Sequence, residues 1–169
     1  MTDLTPKELL QLYESVIKPF GHPDPLGYLT RALLESDGNP DYVDVEGKRG
    51  FMPVLPEVAL EMTGATEVQS LQGNVVATLT MDRMLFDKYR TVDSMMIAFQ
   101  YGEDSLGDTP TKHQKEFINE VNESRGYTQQ LVYPPLATVS DVIDALDERD
   151  VDKRLTGKEK SFFSYLLKG

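Results

Sequence analysis

The chain has 169 residues, of which 40% are hydrophobic and 27% are charged, so it is long enough for one domain and is not disordered throughout. It contains no cysteine, which excludes disulfide frameworks, thiolate metal sites and cysteine nucleophiles. Its 17 basic and 28 acidic residues give a formal charge of −11, which argues against nucleic acid as a partner.

The first part of the chain predicts two amphipathic helices. Residues 5–8 combine a cap, a first-turn proline and a capping-box glutamate, and the apolar face of this first helix continues to Phe20. Asp24 and Pro25 are typical of a second helix start, after which apolar residues recur at three- and four-residue spacing as far as Leu33.

Glu35 follows this apolar run, at the edge of the predicted core. Most glutamates on helices are simply solvated, so position alone does not indicate a function. Partial burial, however, would disfavour the ionised carboxylate and favour the acid form, which can donate a proton near neutral pH.

The rest of the chain also predicts helices, with little strand pattern. Residues 37–50 are rich in Gly, Asp, Asn and Pro and predict a loop, with at most a short irregular hairpin. The capping and apolar patterns predict four further helices: residues 56–62, ended by Gly64; a long helix capped by Asn74; residues 92–101; and a helix opened by Thr109 and Pro110 that ends near Gly126.

Neither a metal nor a cofactor is predicted. His22 and His113 are far apart with no ligand spacing around them, so we expect both on the surface or in loops. Residues 37–41 begin like a calcium loop, but Tyr42 occupies the position where that loop needs glycine.

The best domain boundary is at Tyr133, Pro134 and Pro135, because two prolines interrupt a helix and favour extended backbone. We therefore predict one domain over residues 1–132 and a short helical extension over residues 133–169. This extension either packs back on the domain or docks a partner protein through an aromatic face.

Five short segments resemble, in order, the motifs of soluble lytic transglycosylases. They are Glu35-Ser36, Asn39-Pro40, Gly47-x-x-Gly50-Phe51-Met52-x-Val54-x-Pro56, Asn74-Val75 and Ala98-Phe99-Gln100-Tyr101-Gly102. The resemblance spans residues 28 to about 125. It implies a mainly α, lysozyme-like helical domain with an active-site groove.

Three positions depart from the family pattern. Pro53 stands where the family has glutamine, and Gln100 stands where it has asparagine. Phe99 replaces a tyrosine whose hydroxyl bonds the catalytic carboxylate in relatives, and phenylalanine has no donor to offer. The position of the Glu35 side chain is therefore expected to depend more on packing than it does in relatives that have the tyrosine hydroxyl.

The resemblance implies cleavage of the β-1,4 bond between N-acetylmuramic acid (MurNAc) and N-acetylglucosamine (GlcNAc) in peptidoglycan. Glu35 would protonate the glycosidic oxygen and then deprotonate the C6 hydroxyl of MurNAc, which attacks C1 and forms a 1,6-anhydro sugar. The substrate-binding residues implied by motif position are Ser36, Met52, Pro53, Val54, Phe99 and Gln100.

Two alternatives remain open. A hydrolytic lysozyme would use a second carboxylate, for which Asp41, Asp44 and Glu46 are the candidates. A catalytically impaired lysozyme fold, kept as a structural component of a phage virion, would account for the three departures from the motifs.

The N-terminus lacks a basic region followed by an apolar stretch, and no segment approaches the roughly 20 apolar residues of a membrane span. We therefore expect synthesis in a host cytoplasm without a signal peptide. An enzyme that cleaves the cell wall but has no signal peptide needs another route to the wall. This suggests a bacteriophage protein that acts at the bacterial cell wall, in lysis or from the virion. Other phage proteins would then be partners of the C-terminal extension.

Overall fold

The computed structural model describes residues 3–133, so the predicted extension after Tyr133 lies outside the described residues. The helices are α1 (Pro6–Leu12), α2 (Pro25–Ser36), α3 (Pro56–Thr63), α4 (Leu71–Tyr89), α5 (Val92–Tyr101) and α6 (Lys112–Val132). A π-helical turn at Tyr13–Ile17 continues α1, and a 3₁₀ turn at Glu103–Ser105 follows α5.

Extended pairing within residues 3–133 is limited to two isolated antiparallel bridges, which join Arg49 to Val43 and to Val54. The predicted mainly α fold, with at most a short irregular hairpin, is therefore confirmed. The division of the chain at residue 133 stays a prediction. None of the helices in the described region has the length and apolar content that a membrane span requires.

The start of α4 differs from the prediction. Ser70, not Asn74, is its N-cap, and the Ser70 hydroxyl accepts a hydrogen bond from the Gly73 N–H at 3.0 Å. Asn74 lies one turn inside the helix, because its side chain bonds the backbone of the preceding loop instead of the helix end.

Both ends of α6 also differ from the prediction. The N-cap is Thr111, which forms a reciprocal capping box with Gln114. The helix passes through Gly126 and continues to Val132. A glycine inside a helix costs only about 1 kcal/mol, and the burial of Leu131 and Val132 in the main core favours the longer helix.

The main core joins α1, α2, α4 and α6. Tyr28 and Leu29 of α2, Leu79 of α4 and Leu131 of α6 are all completely buried in it. Phe51, from the loop between α2 and α3, is completely buried in the same core, so this loop is anchored to the helices.

Phe99 on α5 packs against three apolar clusters. One is the main core, the second joins α4, α5 and α6, and the third lies between α3 and α4. The ring is only partly buried, so it is part of the wall of the space between these helices.

An ion pair joins the start of α2 to α6. Asp24 caps α2 at the Gly27 N–H, and Arg125 donates to both Asp24 carboxylate oxygens, at 2.8 and 2.5 Å. Burial raises the pKa of Asp24, but the hydrogen bonds and charge of Arg125 outweigh it, so the net pKa lies below the ordinary value of 3.8.

Removing this pair should cost stability in a pH-dependent way. Arg125→Met is expected to lower the free energy of unfolding by about 1.5 to 3 kcal/mol at pH 7, because a charge-assisted bidentate pair is lost. A lowered folded pKa means that the contribution is complete above the unfolded pKa of 3.8 and disappears as the pH falls through the folded value. Urea unfolding at pH 7 and pH 3 measures both effects.

The control is Glu14→Gln, which removes an exposed ion pair with Lys18 at 3.7 Å. Its effect should stay below about 1 kcal/mol at either pH. An Arg125→Met penalty that is equally large at pH 3 and pH 7 would contradict the assignment to the Asp24 carboxylate.

Candidate active site

Glu35 is the penultimate residue of α2, and its side chain is partly buried. Its charge acts on Tyr101 of α5: the pKa of Tyr101 is raised, first by burial and then by the negative charges of Glu35, Glu120 and Glu116. Glu35 near the end of α2 therefore acts electrostatically on Tyr101 at the end of α5.

Ser36 has a different position from the one predicted. It is buried, and its hydroxyl lies 2.7 Å from the Phe51 carbonyl oxygen and 2.9 Å from the Ala32 carbonyl oxygen. The same oxygen accepts a hydrogen bond from the Gly38 N–H at 3.3 Å. Ser36 thus joins the end of α2 to the loop instead of facing a ligand, and this fixes the backbone next to Glu35.

Asn74 fastens the same loop to α4. Its side-chain oxygen accepts from the Met52 N–H at 2.8 Å, and its amide nitrogen donates to the carbonyls of Met52 at 3.1 Å and Arg49 at 3.2 Å. Gly50 has φ +102°, and a Cβ there would collide with the Asn74 amide. The motif segments around Gly50 and Asn74 are therefore in direct contact.

A cleft of about 560 Å³ lies between the loop, α3, α4 and the end of α5. Its lining includes four of the predicted substrate-binding residues: Pro53, Val54, Phe99 and Gln100. Met52, also predicted to bind substrate, is buried in the main core and not in this lining, because its backbone is held by Asn74.

Glu35 itself lies outside the lining of this cleft. Tyr101, on which its charge acts, is part of the lining and is 44% exposed. The predicted acid is thus not part of the cleft lining, although its charge acts on a residue that is. Tyr101 is a site residue that the motif analysis did not single out, although it stands within the quoted Ala98–Gly102 segment.

Lys48 connects the loop to α5 at the cleft. Its ammonium donates to the Gln100 carbonyl oxygen at 3.1 Å and lies 3.7 Å from the Glu46 carboxylate. The Asp44 carboxylate accepts the N–H groups of Glu46 at 2.8 Å and Lys48 at 2.9 Å, which stiffens the turn that carries the lysine. Lys48 stands at an unspecified position of the Gly47-x-x-Gly50 segment, so no role was predicted for it.

Three carboxylates line the cleft: Asp44, Glu46 and Glu103. Glu103, which the sequence analysis missed, accepts from Lys88 at 2.8 Å and from the Tyr89 hydroxyl at 2.7 Å. The Lys88 hydrogen bond, followed by that of Tyr89, holds the pKa of Glu103 below its usual value. Asp41, the remaining candidate for a second carboxylate, lines a separate depression of about 190 Å³ instead.

A buried polar cluster lies behind the cleft wall. Arg31 donates to both carboxylate oxygens of Asp82, at 2.7 and 3.2 Å, and its guanidinium lies 5.1 Å from the centroid of the Phe99 ring. Burial raises the pKa of Asp82, but the charge of Arg31 and the hydrogen bonds of His22 and Arg31 outweigh it, so the pKa is lowered.

His22 lies in the loop before α2, which is one of the two positions predicted for it, but it is not on the surface. Its side chain is completely buried, and its Nε2 lies 2.7 Å from Asp82. Nδ1 accepts the Asp24 N–H at 2.8 Å, so Nε2 carries the proton that is donated to Asp82. His113 agrees with the prediction, since its side chain is 87% exposed.

Comparison of the chain with protein-family models, with curated proteins and with solved structures finds no match. Its function has to be inferred from the residues and geometry of this site.

Proposed function

We propose that the chain cleaves the β-1,4 bond between MurNAc and GlcNAc in peptidoglycan by the lytic transglycosylase reaction, with Glu35 as acid and base. The main support is that two motif segments, Pro53-Val54 and Phe99-Gln100, line one cleft although they are far apart in sequence. Glu35 is outside the lining of that cleft, but its charge raises the pKa of Tyr101, which is part of the lining.

The reaction needs a single protein carboxyl group. Glu35 donates its proton to the glycosidic oxygen as the bond from that oxygen to C1 of MurNAc breaks. Its carboxylate then accepts the proton of the C6 hydroxyl of MurNAc as the hydroxyl oxygen attacks C1. The product carries a 1,6-anhydro ring and Glu35 is protonated again. One carboxylate suffices because the nucleophile belongs to the substrate, in contrast to the two carboxylates of most glycoside hydrolases.

The products test this proposal directly. Purified peptidoglycan digested with the wild-type protein should release anhydro-muropeptides, which mass spectrometry distinguishes from their hydrated counterparts by the mass of one water. Fragments with reducing ends would instead identify a hydrolytic lysozyme. If the folded protein releases no fragments but co-sediments with peptidoglycan or phage particles, the structural role is correct and the enzymatic one is wrong.

The hydrolytic alternative has one observation in its favour. Asp44 and Glu46 line the cleft and could supply the second carboxylate that hydrolysis needs. Asp44 accepts two backbone N–H groups, whereas the Glu46 side chain is 67% exposed and lies 3.7 Å from the Lys48 ammonium. Glu46 is therefore the better candidate for a base that activates water.

The Tyr101 hydroxyl donates to the His113 carbonyl oxygen at 3.5 Å in the structure. Tyr101 is proposed to turn to the Glu35 carboxylate during catalysis and so to replace the hydroxyl that Phe99 lacks. Tyr101→Phe is expected to lower turnover about tenfold, because a hydrogen bond to a charged group contributes about 1.5 to 3 kcal/mol. The measurement is the initial rate of fragment release at saturating peptidoglycan. Tyr133→Phe, at an exposed tyrosine on the end of α6, is the matched control. Equal rates for both variants and the wild type would contradict this role.

The biological setting is also a proposal. We propose that the protein is a bacteriophage product that is made in the host cytoplasm and acts on glycan strands of the bacterial cell wall. With a formal charge of −11, it would be weakly repelled by an anionic wall, which favours delivery or tethering over electrostatic attraction. Attachment to other phage proteins through residues 133–169 stays a prediction.

A further inference from the structure

The cleft lies between a turn of the loop, at residues 43–48, and the end of α5. Four residues of this turn line the cleft: Asp44, Val45, Glu46 and Lys48. Gln100 and Tyr101 line it from α5. The width of the cleft therefore depends on the distance between the turn and α5.

The turn is bonded internally, so it keeps its shape as one unit. The Asp44 carboxylate accepts the N–H groups of Glu46 and Lys48, at 2.8 and 2.9 Å. The Asp44 N–H donates to the Lys48 carbonyl oxygen at 2.9 Å, and the Gly47 N–H donates to the Asp44 carbonyl oxygen at 3.2 Å. These bonds fix the shape of the turn but not its distance from α5.

One hydrogen bond joins the turn to α5. The Lys48 ammonium donates to the Gln100 carbonyl oxygen at 3.1 Å. Within residues 3–133, the other hydrogen bonds of residues 43–48 stay inside the loop. The Asn74 side chain holds the base of the loop separately. A single side chain thus connects the two walls of the cleft at this point.

The position of the ammonium favours this bond. Gln100 is in the last turn of α5, where carbonyl groups lack donors from within the helix and the helix dipole is negative. The Lys48 side chain is 21% exposed, so water and salt screen its charge less than that of a fully exposed lysine. The Glu46 side chain, 3.7 Å from the ammonium, is 67% exposed and contributes little.

We propose that Lys48 is a positioning residue, which holds the turn close to α5 and so sets the width of the cleft. It acts through the turn and through Gln100, not on the reacting atoms. A ligand that contacts both walls then binds a preformed cleft and does not have to order the turn. The inference about the width stands on these contacts, and only the identity of the ligand as a glycan strand rests on the proposed function.

The first test measures the distance across the cleft without any substrate. Because the chain contains no cysteine, Val45→Cys and Asp104→Cys give two exposed sites for spin labels, one on the turn and one just after α5. Lys48→Met keeps the apolar stem of the side chain but removes the donor. In this variant the label distances, measured by double electron–electron resonance, should spread over a wider range and become longer.

Two further variants show whether the change is specific. Lys48→Arg keeps a charged donor and should retain the narrow distribution of distances. Lys18→Met makes the same chemical change at an exposed lysine whose partner is Glu14, and should leave the distances unchanged. Equal distance distributions with lysine and with methionine at position 48 would overturn the proposal.

The second test uses unlabelled protein and soluble glycan strands. In Lys48→Met the strand concentration that gives half the maximal rate should rise about three- to tenfold, while the maximal rate changes less than about twofold, because only uniform binding is lost. A reduced maximal rate at an unchanged half-saturating concentration would contradict the positioning role. A protein that releases no anhydro-muropeptides, but whose label distances respond as expected, would refute the proposed function and leave the Lys48 assignment intact.

Discussion

Glu35→Gln is expected to lower the rate of peptidoglycan cleavage by about 10² to 10⁴-fold, the range that a positioned acid or base contributes. The amide keeps the size and shape of the side chain but can neither donate nor accept the required proton at neutral pH. The rate of release of soluble fragments from purified peptidoglycan measures the loss.

Two further measurements make the Glu35 result specific. Glu61→Gln makes the same chemical change at an exposed position on α3 outside the cleft lining, and should retain the wild-type rate. The midpoint of urea unfolding, measured for both variants, separates a loss of catalytic rate from a loss of folded protein. Full activity of Glu35→Gln would rule out its role as the acid.

Asn74→Ala is expected to have the largest effect on stability, with a loss of at least about 3 kcal/mol in the free energy of unfolding. The substitution removes the three hydrogen bonds that the Asn74 side chain makes to the backbone of Arg49 and Met52. The Arg49 carbonyl keeps the Val54 N–H as a donor, whereas the N–H and carbonyl of Met52 lose the Asn74 side chain. Each buried group left without a partner costs about 1 to 3 kcal/mol, and the missing side-chain atoms leave a cavity. Urea unfolding measures the change.

The matched control for Asn74 is Gln72→Ala, an exposed position on the same helix where the effect should be within about 0.5 kcal/mol. Asn74 holds the backbone of residues 49–52, which leads directly into Pro53 and Val54 of the cleft lining. Asn74→Ala should therefore also reduce fragment release under conditions where the variant is still folded. Equal stability of the two variants would show that the loop does not depend on Asn74.

Local signals predicted much of the helical framework. The caps at Thr5 and Asp24 and the stop at Gly64 are where the sequence places them, because each acts within one helical turn. The predicted start of α4 was wrong. Both Ser70 and Asn74 are residue types that cap helices well, and the local sequence does not show which of them bonds the helix end and which bonds another part of the chain. The long-range bonds of Asn74 decided between them.

Motif order singled out Pro53, Val54, Phe99 and Gln100, and the structure places these four residues in the lining of one cleft. That they bind substrate stays a prediction. Motif order could not distinguish them from Ser36, whose hydroxyl turns inward to the Phe51 carbonyl, since a motif gives position along the chain and not side-chain direction. The glycosidase activity itself stays a prediction.

The sequence by itself determined a mainly α chain with a polar loop between its second and third helices, because capping and apolar periodicity depend on residues within a few positions of each other. Only the tertiary structure decided which polar groups meet. Arg31, Asp82 and His22 have no recognisable spacing, yet burial leaves each of them no water to bond and therefore makes them partners. The charge of Glu35 likewise acts on Tyr101 only because α2, α5 and α6 pack around the same apolar residues.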